Sequence, residues 1–406
     1  MGIAFWHALI LSVRRVEAGA RIAAWRTPRW CQLTGRPGWP SIDGVTRHPS
    51  RRTGIAAALV VAPIAAAWRF ALAYRAKAGF PRRRQPIHDP GDLGLAFEET
   101  VVESPGGQLP AWWIPARDGA PGPAVLLVHG WESARDRTLP NAQVLHAAGF
   151  HVLTFDVRGH GANAREALPL TTGEFGADAL AGIRQLLARE DVTTVGVLGH
   201  SLGGVGALLA AASEPRVAAV VAVSTPAGPY RLTRHTFRLA RLPLPDVLAY
   251  PLAWVTTHVF LRPRGHAVRD VSATRAVRTY RGPLLLIHGT ADDVVPPSHV
   301  MHLARAARRA REEARRAGAA GTPRVRLLVV RGGQHSWLYE FPRYRGEIAR
   351  FLATALGGPL EPEAAAAAAE AVQARRLPDA VVGFSAMEDE PGGLRTLVRS
   401  IAHRVG

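Results

Sequence analysis

The sequence predicts an α/β fold in which an open, mostly parallel sheet is covered by helices on both faces. One observation is an alternating segment, Phe97–Glu103, which a Pro-Gly-Gly turn joins to Leu109–Ile114, a pattern typical of an antiparallel hairpin. The other is a series of short apolar runs interleaved with helical patterns, which is typical of buried parallel strands. A hairpin that leads into a β-α-β series produces such a sheet, and ligands bind at the carboxyl ends of its strands.

Short apolar runs predict six parallel strands after the hairpin. They are Ala124–Val128, His151–Phe155, Thr194–Leu198, Val217–Val223, Pro283–Ile287 and Val325–Val330. Helical patterns lie between most of them. These are Leu139–Ala148, Phe175–Arg189, Leu202–Ser213, His299–Ala317 and Tyr344–Ala355.

Composition divides the chain into three parts. Residues 1–84 are basic and have no strand pattern, whereas 85–357 carry the whole α/β pattern. The tail, 358–406, begins as a linker with an alanine run, Ala364–Ala369, and a short helix is expected at Leu394–His403. We expect the chemistry to lie in the middle part alone.

The net charge of +18 invites a nucleic-acid interpretation, but its distribution does not support one. Residues 1–84 hold 15 basic residues against 2 acids, a net +13, while 85–357 hold 30 against 23, a net +7. Every basic residue except Lys77 is arginine, in a chain with 40 Gly and 31 Pro, which is typical of GC-rich codon usage. We therefore predict no nucleic-acid partner. The single cysteine, Cys31, excludes an internal disulfide framework and a cysteine-based metal site.

The segment 54–74 is a candidate membrane segment, because its only charge is Arg69 and its length suits a bilayer. Much of it is alanine, and Pro63 would kink a helix, so the alternative is an alanine-rich helix packed on the protein. If 54–74 spans a membrane, the denser basic residues after it favour a cytoplasmic catalytic domain. Otherwise we expect a cytoplasmic protein.

The strongest motif is Gly199-His200-Ser201-Leu202-Gly203, which follows an apolar run and opens a helical pattern. A serine hydroxyl is a poor nucleophile unless it is exposed, oriented and paired with a base. A sharp strand-to-helix turn exposes it, and glycines two residues before and after remove side chains that would clash. The helix that follows aims backbone N–H groups at developing negative charge.

With these motifs, residues 96–356 resemble an α/β-hydrolase. Gly199–Gly203 matches the nucleophile elbow of that family, and His129-Gly130-Trp131 matches its oxyanion-loop H-G motif. Asp156–Gly161 matches its D-x-R-G-x-G turn. The beginning, Leu93–Pro115, resembles the membrane-anchored serine hydrolases of the Bem46-like group, and serine aminopeptidase-like hydrolases more broadly.

The resemblance implies a catalytic triad in the chain order Ser, Asp or Glu, His, with Ser201 as the nucleophile. The acid follows a later strand, and two carboxylates, Asp292 and Asp293, stand after Pro283–Ile287. The family's acid lies three residues after the glycine, here Gly289, which selects Asp292. Asp293 is the alternative if the alignment is shifted by one residue.

The base follows the last strand, where two glycines precede His335. Of the 16 histidines, four others lie in family loops near strand ends but not in this position, and we assign them positioning or packing roles. They are His129, His160, His200 and His288. His335 is therefore the predicted base.

The resemblance also assigns the oxyanion hole to the backbone N–H groups of Trp131 and Leu202. Positioning roles fall to the residues around the elbow and the oxyanion loop, which are Gly199, His200, Gly203, His129 and Gly130. No metal-binding or nucleotide-binding motif occurs, so no cofactor is predicted.

Residues 229–281 interrupt the β-α rhythm and are predicted to form a lid. The segment interleaves large apolar residues with arginines, which favours either an apolar acyl-binding cap or a cap that packs on the core with solvated arginines. Its acids are only Asp246 and Asp270, whereas an aminopeptidase needs carboxylates to bind an amine.

We therefore predict a serine hydrolase of carboxylic esters or thioesters that acts on a small-molecule acyl substrate. The alternatives are an aminopeptidase or amidase of the same fold, or a catalytically idle scaffold associated with membranes. The sequence makes no prediction of oligomeric state.

Overall fold

A computed structural model describes residues 51–377, apart from 118, 240–241, 243, 320, 322 and 375. Most of the basic amino-terminal region and the predicted helix Leu394–His403 lie outside the described residues.

Eight strands form one sheet. They are β1 Glu98–Ser104, β2 Gly107–Ile114, β3 Gly122–Val128, β4 His151–Phe155, β5 Val192–His200, β6 Val217–Val223, β7 Leu284–Gly289 and β8 Val325–Val330. Their spatial order is β1-β2-β4-β3-β5-β6-β7-β8. The β1–β2 and β2–β4 pairs are antiparallel and all others are parallel. The predicted fold class, a hairpin leading into a parallel sheet, is confirmed.

Ten α-helices occur among the described residues. They are α1 Arg51–Ala78, α2 Leu139–Ala147, α3 Thr172–Leu187, α4 Leu202–Ser213, α5 Pro229–Leu239, α6 Asp246–Leu261, α7 Ala273–Thr279, α8 Ser298–Arg316, α9 Pro342–Leu356 and α10 Pro362–Ala371. The helix expected from Phe175 begins three residues earlier, because Thr171 and Glu174 form a capping box at its N-terminus.

The sheet separates two apolar cores. Alternate side chains of β3 point to opposite faces, with Leu126 packed beneath α3, α4, α7 and α8, and Leu127 beneath α2, α9 and α10. Every residue of β3 is buried, as expected for a central parallel strand covered on both faces. This arrangement leaves the carboxyl ends of the strands as the open edge at which loops meet.

The alanine run predicted as a linker is a packed helix, so that prediction is wrong. Ala365 and Ala369 of α10 are buried against the core. Arg345 of α9 donates to the carbonyl oxygens of Ala369 (3.1 Å) and Glu370 (2.7 Å), which satisfies the C-terminal end of α10. Small alanine side chains allow α10 to approach α9 closely, which composition alone did not reveal.

The carboxyl-terminal half of α1 packs on α5 and α6, the first two of the three α-helices between β6 and β7. The ring of Phe70 meets Phe237 edge-to-face at 5.5 Å, and Tyr74 Oη lies 3.1 Å from Thr236 Oγ1. Arg75 donates to the Val259 carbonyl at 3.2 Å. Within the part of the chain that the structure describes, no helix combines enough length and apolarity to cross a membrane, so the span predicted over 54–74 is not supported.

Candidate active site

Ser201 lies between the end of β5 and the start of α4, in a backbone conformation with φ 54° and ψ −119°. Positive φ is uncommon for a residue with a side chain and marks a strained turn. The flanking glycines are required by the close approach of the chain. A Cβ at Gly199 would lie 2.3 Å from the Gly203 carbonyl oxygen, and one at Gly203 would lie 2.2 Å from the Val128 carbonyl oxygen.

Ser201 is held by the neighbouring strand and lies against the loop after β3. Its N–H donates to the Val223 carbonyl at 2.9 Å, and its side chain is buried. A Cβ at Gly130 would lie 3.2 Å from Ser201 Cβ, so a larger residue would displace the serine or the loop. The first N–H groups of a helix have no intrahelical acceptor, and that of Leu202 begins α4 directly after Ser201.

Asp292 and His335, from the loops after β7 and β8, form a buried pair. His335 Nδ1 lies 2.9 Å from Asp292 Oδ2, and Asp292 Oδ1 accepts the Val295 N–H at 2.7 Å. Burial alone would raise the pKa of Asp292, but contacts with His335 and His288 outweigh it and hold this pKa well below its usual range. The carboxylate therefore stays ionised beside the imidazole.

The structure brings Asp292, and not Asp293, against the imidazole of His335. The Asp293 side chain is exposed, and its backbone carbonyl accepts a hydrogen bond from His235 Nε2 at 3.1 Å. The residue that the family's spacing selects, Asp292, is thus the one that contacts His335.

His288 contacts the same carboxylate, which the sequence did not reveal. Its Nε2 lies 3.1 Å from Asp292 Oδ2 and 2.6 Å from the Val295 carbonyl oxygen, and its ring is fully buried. Because a carbonyl oxygen only accepts, Nε2 carries a proton and donates toward both oxygens. A histidine at the end of β7, four residues before a candidate acid, was the available signal.

The loops after β7 and β8 are joined by backbone hydrogen bonds. Ala291 N–H donates to the Gly333 carbonyl and Thr290 N–H to the Val330 carbonyl, each at 2.9 Å. A Cβ at Gly289 would lie 2.0 Å from the Gly333 carbonyl oxygen, so this approach requires glycine. The joined loops fix the spacing of the Asp292–His335 pair.

His200 and His129 position loops. His200 Nε2 donates to the His335 carbonyl at 2.8 Å, and burial with the neighbouring His335 lowers its pKa to about 3. His129 Nε2 accepts the Val157 N–H at 3.0 Å, which leaves Nδ1 to donate to the Gly130 carbonyl at 2.7 Å. Burial lowers the pKa of His129 to about 4, so both rings are neutral at pH 7.

Buried ion pairs brace the loops after β3 and β4. Asp156 accepts the Arg135 N–H at 2.7 Å and Arg135 Nη1 at 2.6 Å, and Arg158 Nε donates to Asp178 at 2.9 Å. Trp131 packs edge-to-face on His160, with ring centroids 5.2 Å apart. Ion pairs and ring contacts thus hold the loop with the oxyanion motif in one position, as a preorganised site requires.

The fold matches a solved esterase. A Pyrococcus furiosus esterase structure is 23% identical, and the match covers 69% of this chain and 99% of that chain with a TM-score of 0.54. A family model described as serine aminopeptidase, S33, matches residues 119–262. The chain therefore has the α/β-hydrolase fold. The predicted resemblance to serine aminopeptidase-like enzymes is thereby confirmed.

This α/β-hydrolase also has curated relatives. An uncharacterized Mycobacterium tuberculosis protein is 29% identical over 214 residues, 52% of this chain and 67% of the relative. The sn-1-specific diacylglycerol lipase ABHD11 of Xenopus tropicalis is 32% identical over 99 residues, 24% of this chain and 30% of that protein. Together with the fold and the family model, these similarities support a serine hydrolase of the α/β-hydrolase fold.

Proposed function

We propose that this α/β-hydrolase cleaves carboxylic esters or thioesters through an acyl-enzyme on Ser201. The observation that supports it best is the buried pair of Asp292 and His335, in which Oδ2 lies 2.9 Å from Nδ1. The two hydrogen-bonded loops that hold this pair lie at the same edge of the sheet as the strained turn at Ser201. A strained serine alone indicates little. A strained serine at the same edge as an oriented imidazole and an ionised carboxylate is the arrangement that acyl transfer uses.

In the proposed mechanism, Ser201 Oγ attacks the acyl carbonyl while His335 Nε2 takes its proton. Asp292 accepts from His335 Nδ1, which selects the tautomer with Nε2 available and stabilises the imidazolium that forms. The N–H groups of Leu202 and Trp131 hold the oxyanion. His335 then gives the proton to the departing alcohol or thiol.

Deacylation repeats these steps with water. His335 takes a proton from the water molecule that attacks the acyl-enzyme carbonyl, and the collapse of the second tetrahedral intermediate returns that proton to Ser201 Oγ. The product acid leaves and the free serine is restored. The same groups thus serve both halves of the cycle.

The inserted helices favour ester over aminopeptidase activity. Asp246 lies 3.3 Å from Arg238 and 3.8 Å from Arg234, and Asp270 accepts the Ala267 N–H at 3.0 Å. Both acids of the predicted lid are therefore engaged within the protein. A substrate amine needs an available carboxylate, so neutral or acidic acyl groups suit the predicted lid better than amines do.

Two measurements test the proposal. A fluorophosphonate probe should label wild-type protein at Ser201, and a Ser201→Ala variant with unchanged circular dichroism should not be labelled. A panel of p-nitrophenyl esters and aminoacyl p-nitroanilides should show turnover of the esters. Faster turnover of the anilides would establish the aminopeptidase alternative, and absence of labelling on folded protein would establish an idle scaffold.

We also propose that α1 and α6, which pack against each other, rest on an anionic lipid surface. Each exposes apolar side chains at positions i, i+3 and i+7, which we name the apolar stripes: Val61, Ile64 and Trp68 on α1, and Val247, Tyr250 and Trp254 on α6. Exposed arginines accompany the stripes on these helices and beside them: Arg69, Arg231, Arg238 and Arg262. Apolar side chains flanked by cations are typical of interfacial docking.

A further inference from the structure

A pocket beside the proposed oxyanion loop contains more positive than negative charge. It is bordered by Gly130 and Trp131 on one side and by His335 on the other. Its charged lining comprises Arg84, Arg137 and Glu132, and its remaining walls are largely aromatic, with Trp337, Tyr339 and Tyr344. The pocket therefore adjoins the groups to which we assign acyl transfer.

Arg137 lines this pocket and forms no ion pair with a carboxylate among the described residues, although the charge of Asp136 offsets part of the lowering of its pKa by burial. Its Cζ stacks 4.5 Å from the centroid of the Trp337 ring, which holds the guanidinium in one orientation. Its Nη1 is buried and has no hydrogen-bond partner among the described residues, and within the same part of the chain no carboxylate lies within ion-pair distance of Arg137. The side chain is oriented but unsatisfied.

Arginines near Arg137 in sequence do form ion pairs. Arg135, two residues earlier, pairs with buried Asp156 at 2.6 Å, and Arg158 pairs with buried Asp178. Burying a charge or a polar group without a partner destabilises a protein, and evolution normally supplies the partner from within the fold. A pocket in which that partner is missing is a place for a ligand to supply it.

The acid in the pocket does not fill this role. Glu132 Oε1 accepts the Arg82 N–H at 3.2 Å, and Glu132 forms no ion pair with Arg137 within the described residues. Arg84 also lines the pocket, and the charge of Asp136, which lies outside the lining, acts on both arginines. The unsatisfied Nη1 of Arg137 is a hydrogen-bond donor, so it favours an anion and disfavours an amine.

We propose that this pocket binds a carboxylate carried by the substrate, with Arg137 as its principal contact. This inference rests on the proposed function, because the carboxylate is one end of an ester whose other end reaches Ser201. A guanidinium presents two parallel N–H groups to a carboxylate, and the stack on Trp337 preorganises that fork. The substrate class is then a monoester of a dicarboxylic acid, or an ester of a hydroxy acid.

Kinetics with matched esters test the proposal. We expect Arg137→Gln to lower kcat/KM for p-nitrophenyl hemiglutarate by about 10- to 100-fold, the range for a charged hydrogen bond, and to change kcat/KM for p-nitrophenyl butyrate by less than about 3-fold. A third ester, 4-acetoxybenzoate, carries the carboxylate on the leaving group. Whichever anionic ester loses turnover identifies the side of the ester bond that faces Arg137.

Arg376 provides a matched control. It also stacks on Trp337, at 4.6 Å, but it pairs with Glu340 at 2.9 Å and does not line the pocket. Arg376→Gln should leave the ratio of anionic to neutral turnover unchanged. An equal loss for neutral and anionic esters in Arg137→Gln, or an equal change of the ratio in both variants, would overturn the proposal.

Two further measurements separate this inference from the proposed function. Glutarate binding to Ser201→Ala protein, followed by calorimetry, needs no catalysis and should be lost when Arg137→Gln is added. Binding that persists in the double variant rejects the carboxylate site even if esterase activity is present. Arg137→Met, which removes an unpaired charge, should keep or raise the melting temperature, whereas a fall of many degrees would show that Arg137 is structural.

Discussion

The strand edge and the layer formed by α1, α5 and α6 differ in how their residues come together. At the edge, each proposed catalytic residue lies in the turn or loop after its own strand, and backbone hydrogen bonds join the loops after β7 and β8. In the layer, contacts join residues far apart in sequence, such as Tyr74 with Thr236 and Arg75 with Val259. The edge is buried and polar, whereas the layer exposes its apolar stripes.

In our two proposals, acyl transfer and lipid docking are therefore assigned to separate parts of this molecule. Glycines at the edge tolerate little change, because an added Cβ would lie against backbone atoms. Buried histidines and ion pairs tolerate little change because replacing one partner leaves the other buried without a hydrogen bond. The outer surface of the layer meets nothing in the described structure. Substitutions should therefore have large effects on turnover at the edge, and effects on stability or surface binding in the layer.

The largest effect is expected at Ser201. Ser201→Ala and His335→Ala should each lower turnover by about 10⁴-fold or more, and the double variant should be no worse, because triad residues act as a unit. Ser224→Ala is the matched control, since Ser224 is also buried with a positive φ of 49° at a strand end. Comparable losses in Ser224→Ala would contradict the assignment of the nucleophile.

The next effect distinguishes the two adjacent carboxylates. Asp292→Asn should lower kcat by about 10⁴-fold, because an amide in place of the carboxylate favours the wrong imidazole tautomer. Asp293→Asn, on an exposed side chain, should change kcat by less than about 3-fold. Steady-state kinetics on one p-nitrophenyl ester suffice, and the opposite ranking would move the acid to Asp293.

Substitutions in the layer of α1, α5 and α6 should change the free energy of unfolding more than the turnover rate. Phe237 is buried and contacts the rings of both Phe70 and Tyr74, so Phe237→Ala should lower the free energy of unfolding by about 3–5 kcal/mol. Tyr74→Phe, which loses only the bond to Thr236, should cost about 1 kcal/mol. Urea unfolding measures both. Equal and negligible losses would mean that α1 does not pack there in solution.

Acid should weaken the edge through its neutral histidines. Burial lowers the pKa of His129 to about 4 and that of His160 to about 3, against about 6.5 in the unfolded chain. Between these values the unfolded chain binds protons that the folded chain does not. The free energy of unfolding should therefore fall as pH drops from 6.5, by about 1.4 kcal/mol per pH unit for each histidine.

His160→Phe tests this pH dependence. The variant keeps an aromatic ring beside Trp131 and removes one titrating group, so its urea midpoint should fall less steeply between pH 7 and pH 5 than that of the wild type. Identical slopes in the two proteins would show that His160 takes up its proton while folded.

The smallest effect on activity is expected from the apolar stripes. Replacing exposed Val247 and Trp254 with serine should change stability by less than about 0.5 kcal/mol and leave hydrolysis of a soluble ester unchanged. Cosedimentation with phosphatidylserine-containing vesicles should fall. Arg262→Gln should weaken binding to anionic vesicles only. Wild-type protein that fails to sediment with any vesicle would reject the lipid-docking proposal.

The order of the proposed triad is what the resemblance to α/β-hydrolases implied, whereas the sequence by itself determined the sheet and the elbow. These are local features: apolar runs mark buried strands, and glycines at fixed offsets from Ser201 mark a turn that only they allow. The hairpin and all six later strands lie where the apolar pattern predicted them. Local sterics and burial act over a few residues, so a single sequence carries them.

Tertiary structure alone decided the partners. His288 shares the Asp292 carboxylate with His335, Arg135 forms an ion pair while Arg137 forms none among the described residues, and α10 is a packed helix and not a linker. Two helices of the predicted lid segment, α5 and α6, pack against α1, which lies more than 150 residues earlier. These outcomes depend on which distant surfaces meet and exclude water, and no pattern within a short window of sequence encodes that geometry.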